Sequence, residues 1–135
     1  MANTFQLEIV TPERLVVKDM AEEMQIPGSE GHLGILPGHA PLITELAVGE
    51  ITYRNGSTTY RLAVASGFAE ILPDKVTVLA EAAERPEEIN VERARQAKAL
   101  AEKQLQSGDP RTDYPRTLTA LARAETRIEV AGKKD

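Results

Sequence analysis

The chain has 135 residues, of which 41% are hydrophobic and only 4% aromatic, with no tryptophan and a formal net charge of −5. That length suits one ordinary domain, or a small domain with an appendage, built on an aliphatic core. Acidic and basic residues are mixed along the chain, which excludes the basic stripe of a nucleic-acid surface and simple electrostatic attachment to anionic lipid. With no cysteine, disulfides, thiolate catalysis and Cys-based metal sites are excluded as well. Met1-Ala2-Asn3-Thr4 carries no signal-peptide pattern, and no apolar run approaches the ~18 residues of a membrane span. The expectation is a soluble, cytosolic protein with no direct membrane insertion.

Phe5, Leu7 and Ile9 alternate with Gln6, Glu8 and Val10, the period of a half-buried strand. Thr11-Pro12-Glu13 breaks it, Leu15-Val16-Val17 begins another strand, and Met24 and Ile26 continue the alternation. The stretch from Gly28 to Leu42 then holds four of the nine glycines, two of the eight prolines and both histidines. Glycine permits positive φ and proline removes a donor, so this reads as a loop whose backbone sets its shape. It is either a connector or a binding surface, since loops on rigid scaffolds commonly carry function.

Asn55-Gly56, flanked by alternating residues, predicts a type I′ hairpin between Ile51–Arg54 and Thr58–Ala65, with Tyr60, Leu62 and Val64 facing the core. Ser66-Gly67 allows a bend, after which Phe68, Glu70 and Leu72 alternate onward. Val76, Val78 and Ala80 alternate against Thr77 and Leu79. Turn signals every eight to twelve residues indicate an antiparallel sandwich or flattened barrel.

From Pro86 the composition turns to Ala, Glu, Gln, Lys and Arg, the strong helix formers. Asn90 is a suitable N-cap, and Ala94, Ala97, Ala101 and Leu105 recur at helical spacing. Ser107-Gly108-Asp109-Pro110 ends that helix, and Tyr114, Leu118, Leu121, Ala124 and Ile128 stripe a second one before a frayed tail from Gly132. The expected fold is therefore α+β in two parts. An antiparallel β-sandwich spans residues 1–85, and an antiparallel two-helix hairpin spans 86–135. An alanine-lined hairpin buries little area, so it is expected to leave a docked position at low cost.

No catalytic constellation assembles. The serines lack a Gly-x-Ser-x-Gly elbow, and there is no Walker or Gly-x-Gly-x-x-Gly loop. His32 and His39, with Glu30, match no recognised metal spacing. Arg123 and Arg127 lie four apart, and Arg116 lies seven before Arg123. They make either a solvated face of i,i+4 pairs, or a basic face for an anion or an acidic partner.

Val10-Thr11-Pro12-Glu13, the segment Gly28-Ser29-Glu30-Gly31-x-Leu33-Gly34-Ile35-Leu36-Pro37-Gly38-His39-Ala40-Pro41-Leu42, Ser66-Gly67-Phe68 and Lys75-Val76-Thr77-Val78-Leu79-Ala80 together resemble the epsilon subunits of bacterial-type F1Fo ATP synthases, over nearly the whole chain. The resemblance implies a non-catalytic rotor subunit on the central stalk. Its sandwich docks on the gamma subunit and the c-subunit ring, and its hairpin restrains ATP hydrolysis by the alpha and beta subunits of the F1 head. It implies a peripheral position on the cytoplasmic face of a bacterial inner membrane, or on a thylakoid. It places Ser29, Glu30, Gly31, His32 and His39 against the c ring, with His32 where relatives often carry an acid. It places Arg116, Arg123 and Arg127 against the beta subunit when the hairpin extends. No cofactor is required, but ATP is a candidate regulatory ligand at Glu84, Ile89, Asn90, Arg93, Ala94, Arg123 and Arg127. Asn90 replaces the aspartate of the relatives' Ile-Asp-x-x-Arg-Ala motif, and Leu100 replaces a basic residue, so weak ATP binding is expected. The alternative is a free-standing β-sandwich adaptor that grips a partner helix with its hairpin.

Overall fold

The structure is a computed structural model and describes residues 3–133. Eight strands come first: β1 (Phe5–Val10), β2 (Leu15–Ala21), β3 (Glu23–Gly28), β4 (Gly31–Ile35), β5 (Leu42–Leu46), β6 (Gly49–Asn55), β7 (Thr58–Ile71) and β8 (Lys75–Glu84). A single 3-10 turn, Pro86–Glu88, leads into α1 (Val91–Gln106) and α2 (Tyr114–Gly132). The expected sandwich followed by two helices is present. Gly132 lies within α2 rather than in a frayed tail, and residues 134–135 of that tail lie outside the described residues.

The strands run in the order β2-β1-β8-β7-β5-β3-β4, with β6 bridging β7 and β3 so that the sheet folds over on itself. Every pairing is antiparallel except that of β1 with β8, which is parallel. Phe5, Leu7 and Ile9 pack with Met24, Ile26, Ile51, Leu62, Val64, Ile71, Val76 and Val78 in one aliphatic core. Each large side chain so buried contributes about 1.5–3 kcal/mol. That core lies wholly within Phe5–Ala83, so the β-part needs no helix to close it.

Two details depart from local expectation. The β6–β7 hairpin forms, but Asn55 pairs with Thr58, and the two loop residues are Gly56 and Ser57. Gly56, first in the loop, has φ +65° while Ser57, second, does not enter the positive region, which is the type II′ arrangement rather than type I′. The Asn55 amide donates to Asp19 Oδ1 at 2.9 Å, which keeps Asn55 in the strand. The Gly56 N–H donates to Glu22 Oε1 at 2.6 Å. With the Arg54 guanidinium it holds the Glu22 carboxyl below the usual carboxylate range.

The second departure changes the outer surface. In β7, Leu62 and Val64 point inward, yet beyond Gly67 it is Ala69 and Ile71 that are buried. The alternation slips by one position at Ser66 (φ +54°) and Gly67 (φ +126°), turning Phe68 and Leu72 outward. β8 slips in step, burying Val76, Val78 and Ala80 and then Ala83. At the same place β7 changes partner on one side, from β6 to β5.

In the hairpin, Asn90 caps α1 by accepting from the Arg93 N–H at 3.0 Å, and Asp113 caps α2 through the Arg116 N–H at 3.2 Å. Of the expected α1 stripe, Ala94 and Ala101 are buried while Ala97 is exposed. On α2 the buried positions are Thr117, Ala124, Val130 and Ala131, with Leu121 and Ile128 half-buried, while Tyr114 and Leu118 face solvent. The contact stripe thus begins one position off the expected one, about 100° round the helix.

A Cβ on Gly67 would sit 1.9 Å from the Leu79 carbonyl oxygen, whereas one on Gly56 meets nothing within 4 Å. Gly67→Ala is therefore expected to cost about 3 kcal/mol, combining overpacking with a disfavoured φ. Gly56→Ala should cost about 1 kcal/mol. Urea unfolding of both variants checks the difference.

Candidate interaction surfaces

The Gly/Pro stretch is not a single irregular loop, because β4 runs through it. Gly28 opposes Gly31 at the tip of the β3–β4 hairpin, leaving Ser29 and Glu30 as the exposed turn. Gly31 has φ +129°, and a Cβ on Gly28 would lie 2.8 Å from the Gly31 carbonyl oxygen, so glycine at both positions makes the turn. The Ser29 N–H donates to the Glu45 carbonyl at 3.0 Å, anchoring the turn to the end of β5.

At the other end of β4, the Gly38 N–H donates to the Pro73 carbonyl at 2.8 Å, and the His39 N–H donates to that of Leu36 at 3.2 Å. His39 Nδ1 lies 2.7 Å from its neighbour's Ala40 carbonyl, so it is the donor there. The structure therefore brings Ser29, Glu30, Gly31 and His32 together and sets His39 apart by the length of β4. At ~3.3 Å per residue that separation is roughly 13 Å. What joins them is β4 itself, an edge strand that among the described residues pairs only with β3, so that its other rim of backbone donors and acceptors lies between the two turns. His32 is exposed on this strand, opposite Pro27.

A second surface was not legible locally. Phe68 of β7 opposes Leu79 of β8, Leu79 opposes Val10 of β1, and Val10 opposes Leu15 of β2. These four residues form one apolar row across four strands. Phe68 is 55%, Leu79 56% and Leu15 51% exposed, values that mark an unoccupied face rather than a core margin. Ile43, 69% exposed, extends the apolar surface on β5. The row exists because the slip at Ser66-Gly67 turns Phe68 outward.

The arginines of α2 do not form one basic face. Arg127 grips Glu84 of β8 with both Nε and Nη2, at 2.7 and 3.2 Å, and Arg123 Nη2 lies 3.3 Å from Glu81 Oε2. Arg127 is turned onto the sheet, whereas Arg123 reaches Glu81 while its side chain remains exposed. Arg116 lies at the opposite end of α2, beside Lys103 and Arg111 on an open groove of about 760 Å³ between the helix ends. The pairs are partly exposed and individually contribute about 0.5–1 kcal/mol, with the bidentate one at the upper end.

The candidate nucleotide residues are likewise divided. Glu84, Arg123 and Arg127 surround a cavity of only about 50 Å³, floored by Ala63, Val64 and Ala65. Small-molecule sites typically offer ~300–1,000 Å³. Ile89 is buried against Val130 and Ala131, Ala94 is buried in α1, and the Asn90 side chain is engaged as a helix cap. With the hairpin docked, this set surrounds no nucleotide-sized space.

Residues 4–86 match the family model of the ATP synthase delta/epsilon chain β-sandwich domain, and residues 87–132 match that of its long α-helix domain. The chain is 68% identical to the ATP synthase epsilon chain of Koribacter versatilis, over 82% of this chain and 78% of that one. It is 46% identical to the epsilon chain of Syntrophobacter fumaroxidans, over 98% and 99%. In fold it is similar to a chain of the Euglena gracilis mitochondrial ATP synthase structure containing OSCP, F1 and c-ring, with a TM-score of 0.83 at 23% identity over 97% of this chain and 82% of that one. Both parts of the chain are matched in sequence, and relatives share close to half or more of their residues with it: the chain belongs to the ATP synthase delta/epsilon family.

Proposed function

We propose that this chain works as the epsilon subunit of a rotary F1Fo ATP synthase, a non-catalytic part of the central stalk. In this reading it couples proton flow through the c ring to ATP synthesis in the F1 head, and its hairpin restrains hydrolysis. The observation that carries the reading is the pairing of two unoccupied surfaces on one rigid β-domain. The apolar row of Phe68, Leu79, Val10 and Leu15 suits a protein contact, because four apolar side chains stand contiguously across four strands, with Glu45 beside Phe68 at the β5 end. We assign it to the gamma subunit. The β4 edge, with Ser29 and Glu30 at one end and Leu36 and His39 at the other, is rich in exposed backbone and carries polar side chains beside the exposed Leu36. It suits the polar loops of a c ring. A rotor part must transmit torque without deforming, and the closed aliphatic core behind both surfaces meets that demand.

Association with the membrane is then indirect. Among the described residues no helix is long and apolar enough to cross a bilayer. The subunit would be peripheral, held on the cytoplasmic face of a bacterial inner membrane, or on a thylakoid, through its partners. The hairpin's restraint on hydrolysis would follow from release of α2, which frees Arg123 and Arg127 from Glu81 and Glu84 to meet acidic groups of the beta subunit beside Arg116. ATP stands as a regulatory ligand at most, since its candidate residues form no nucleotide-sized cavity while Arg127 holds Glu84.

Three outcomes test the reading. Phe68→Glu or Leu79→Glu should weaken binding to the gamma subunit roughly 30-fold or more, about 2 kcal/mol, in surface plasmon resonance. Deleting residues 87–135 should leave the β-domain folded by circular dichroism while raising ATP hydrolysis by the assembled complex. Unchanged hydrolysis would remove the regulatory role. Titration calorimetry of ATP into the isolated subunit should show no micromolar binding, and a micromolar constant would put ATP back among its ligands.

A further inference from the structure

α1 packs chiefly on α2, and it is α2 that touches β6, β7 and the 3-10 turn. Docking of the whole hairpin therefore depends on one helix. Beneath its last two turns, Glu50 of β6, Ala63 of β7 and Glu84 of β8 stand in a single register row, with Ala63 directly opposite both carboxylates. The helix presents the complementary order. Arg127 holds Glu84 in a bidentate pair, Val130 and Ala131 are buried with Ile89 against Ala63, and Lys133 Nζ lies 3.6 Å from Glu50 Oε2. Six residues of helix separate Arg127 from Lys133, a rise of roughly 9 Å. Two strand spacings separate the outer carboxylates, roughly 9.5 Å. The two rulers agree, so both cations reach their partners while the apolar pair settles between them.

The row is demanding at its edges and at its centre. Glu50 Oε1 accepts from Arg61 at 3.2 Å, but among the described residues its Oε2 is buried without a hydrogen-bond partner, and the Lys133 ammonium faces it. Ala63 is flat enough to let Val130 and Ala131 approach, and any longer side chain there would lift the helix. The other ties across this boundary are weaker or lie elsewhere. Arg123–Glu81 is largely solvent-exposed, and Arg14–Glu88, at 2.6 Å, fixes the connecting turn rather than either helix.

We infer that the Glu50–Ala63–Glu84 row and the Arg127–Val130–Ala131–Lys133 end of α2 form a three-point clasp that decides whether the hairpin is docked or free. The clasp deepens the proposed regulatory role and rests on the reading that the hairpin is releasable. Because its grip is at the C-terminal end of α2, release begins there. At the far end of the hairpin Tyr114, Leu118 and Leu100 are exposed rather than packed on the sheet.

The chain has no cysteine, so a donor–acceptor dye pair on Glu13→Cys and Ser107→Cys labels the full-length subunit cleanly. Val130→Asp, Ala63→Glu and Lys133→Glu should each shift the docked-to-free ratio by about tenfold or more toward the free form, since each buries or opposes an unpaired charge. Arg116→Gln and Tyr114→Ala should leave energy transfer unchanged. Lys133→Glu is a surface change that keeps both cores, so it tests the clasp even where Ala63→Glu disturbs folding. Undiminished energy transfer in Val130→Asp and Lys133→Glu would overturn the clasp. Loss of docking in these variants, with hydrolysis by the assembled complex unchanged, would uphold the clasp and remove the regulatory reading instead.

Discussion

The close approach of the β7 backbone to β8 at Gly67 governs much of this molecule. With no Cβ there, the Leu79 carbonyl can lie where a side chain would otherwise stand. Two consecutive positive-φ residues, Ser66 and Gly67, then let a fourteen-residue strand change its inward phase halfway along. The first half of β7 puts Leu62 and Val64 into the core and Ala63 and Ala65 under the helices. The second half puts Ala69 and Ile71 into the core and Phe68 onto the outer surface. One strand thereby serves the core, the hairpin and the apolar row. Without the slip, Phe68 would compete for core volume and the row would lose its largest member.

The two parts of the chain are stabilised by different physics. The β-domain rests on apolar burial by large aliphatic side chains, which is non-directional and cooperative across the sheet. The hairpin rests on the sheet through small side chains and ion pairs at partly exposed positions, interactions that salt screens and that cost little to break one at a time. Under the proposed function this difference would separate a rigid transmitting body from a releasable arm. It also decides between the two sequence readings of the α2 arginines in the docked form: Arg127 is held by Glu84 and Arg123 pairs with Glu81 at the surface.

Much of the fold was readable one residue at a time. The alternation of Phe5, Leu7 and Ile9, the Asn55-Gly56 punctuation, the Asn90 cap and the helix-forming composition after Pro86 are short-range signals, and each element appears where they place it. The misreadings share one cause. Asn55-Gly56 gives a type II′ turn in place of the expected type I′, because Asn55 pairs with Thr58 and is held by Asp19, a contact that cannot be seen from within the hairpin. On α2 Leu121, Ala124 and Ile128 turn inward as expected, while Tyr114 and Leu118 stay outside because the surfaces that cover the helix are α1 and the sheet, which its own periodicity does not encode. The Gly28–Leu42 stretch hid a strand, since Gly31-His32-Leu33-Gly34-Ile35 has few strand formers and is held by its pairing with β3.

By itself the sequence determined the division into a strand-rich half and a helical half, the aliphatic character of the core, the caps and turns, and the family resemblance. These depend on interactions between residues a few positions apart, or on composition. Only the tertiary structure decided which apolar residues remain outside the core, that Ser29 and His39 flank an edge strand rather than share a loop, and that Glu50, Ala63 and Glu84 line up beneath α2. The reason is register. Residues 13 and 21 positions apart become neighbours only when strands pair, and a slip of one residue reverses every side chain beyond it.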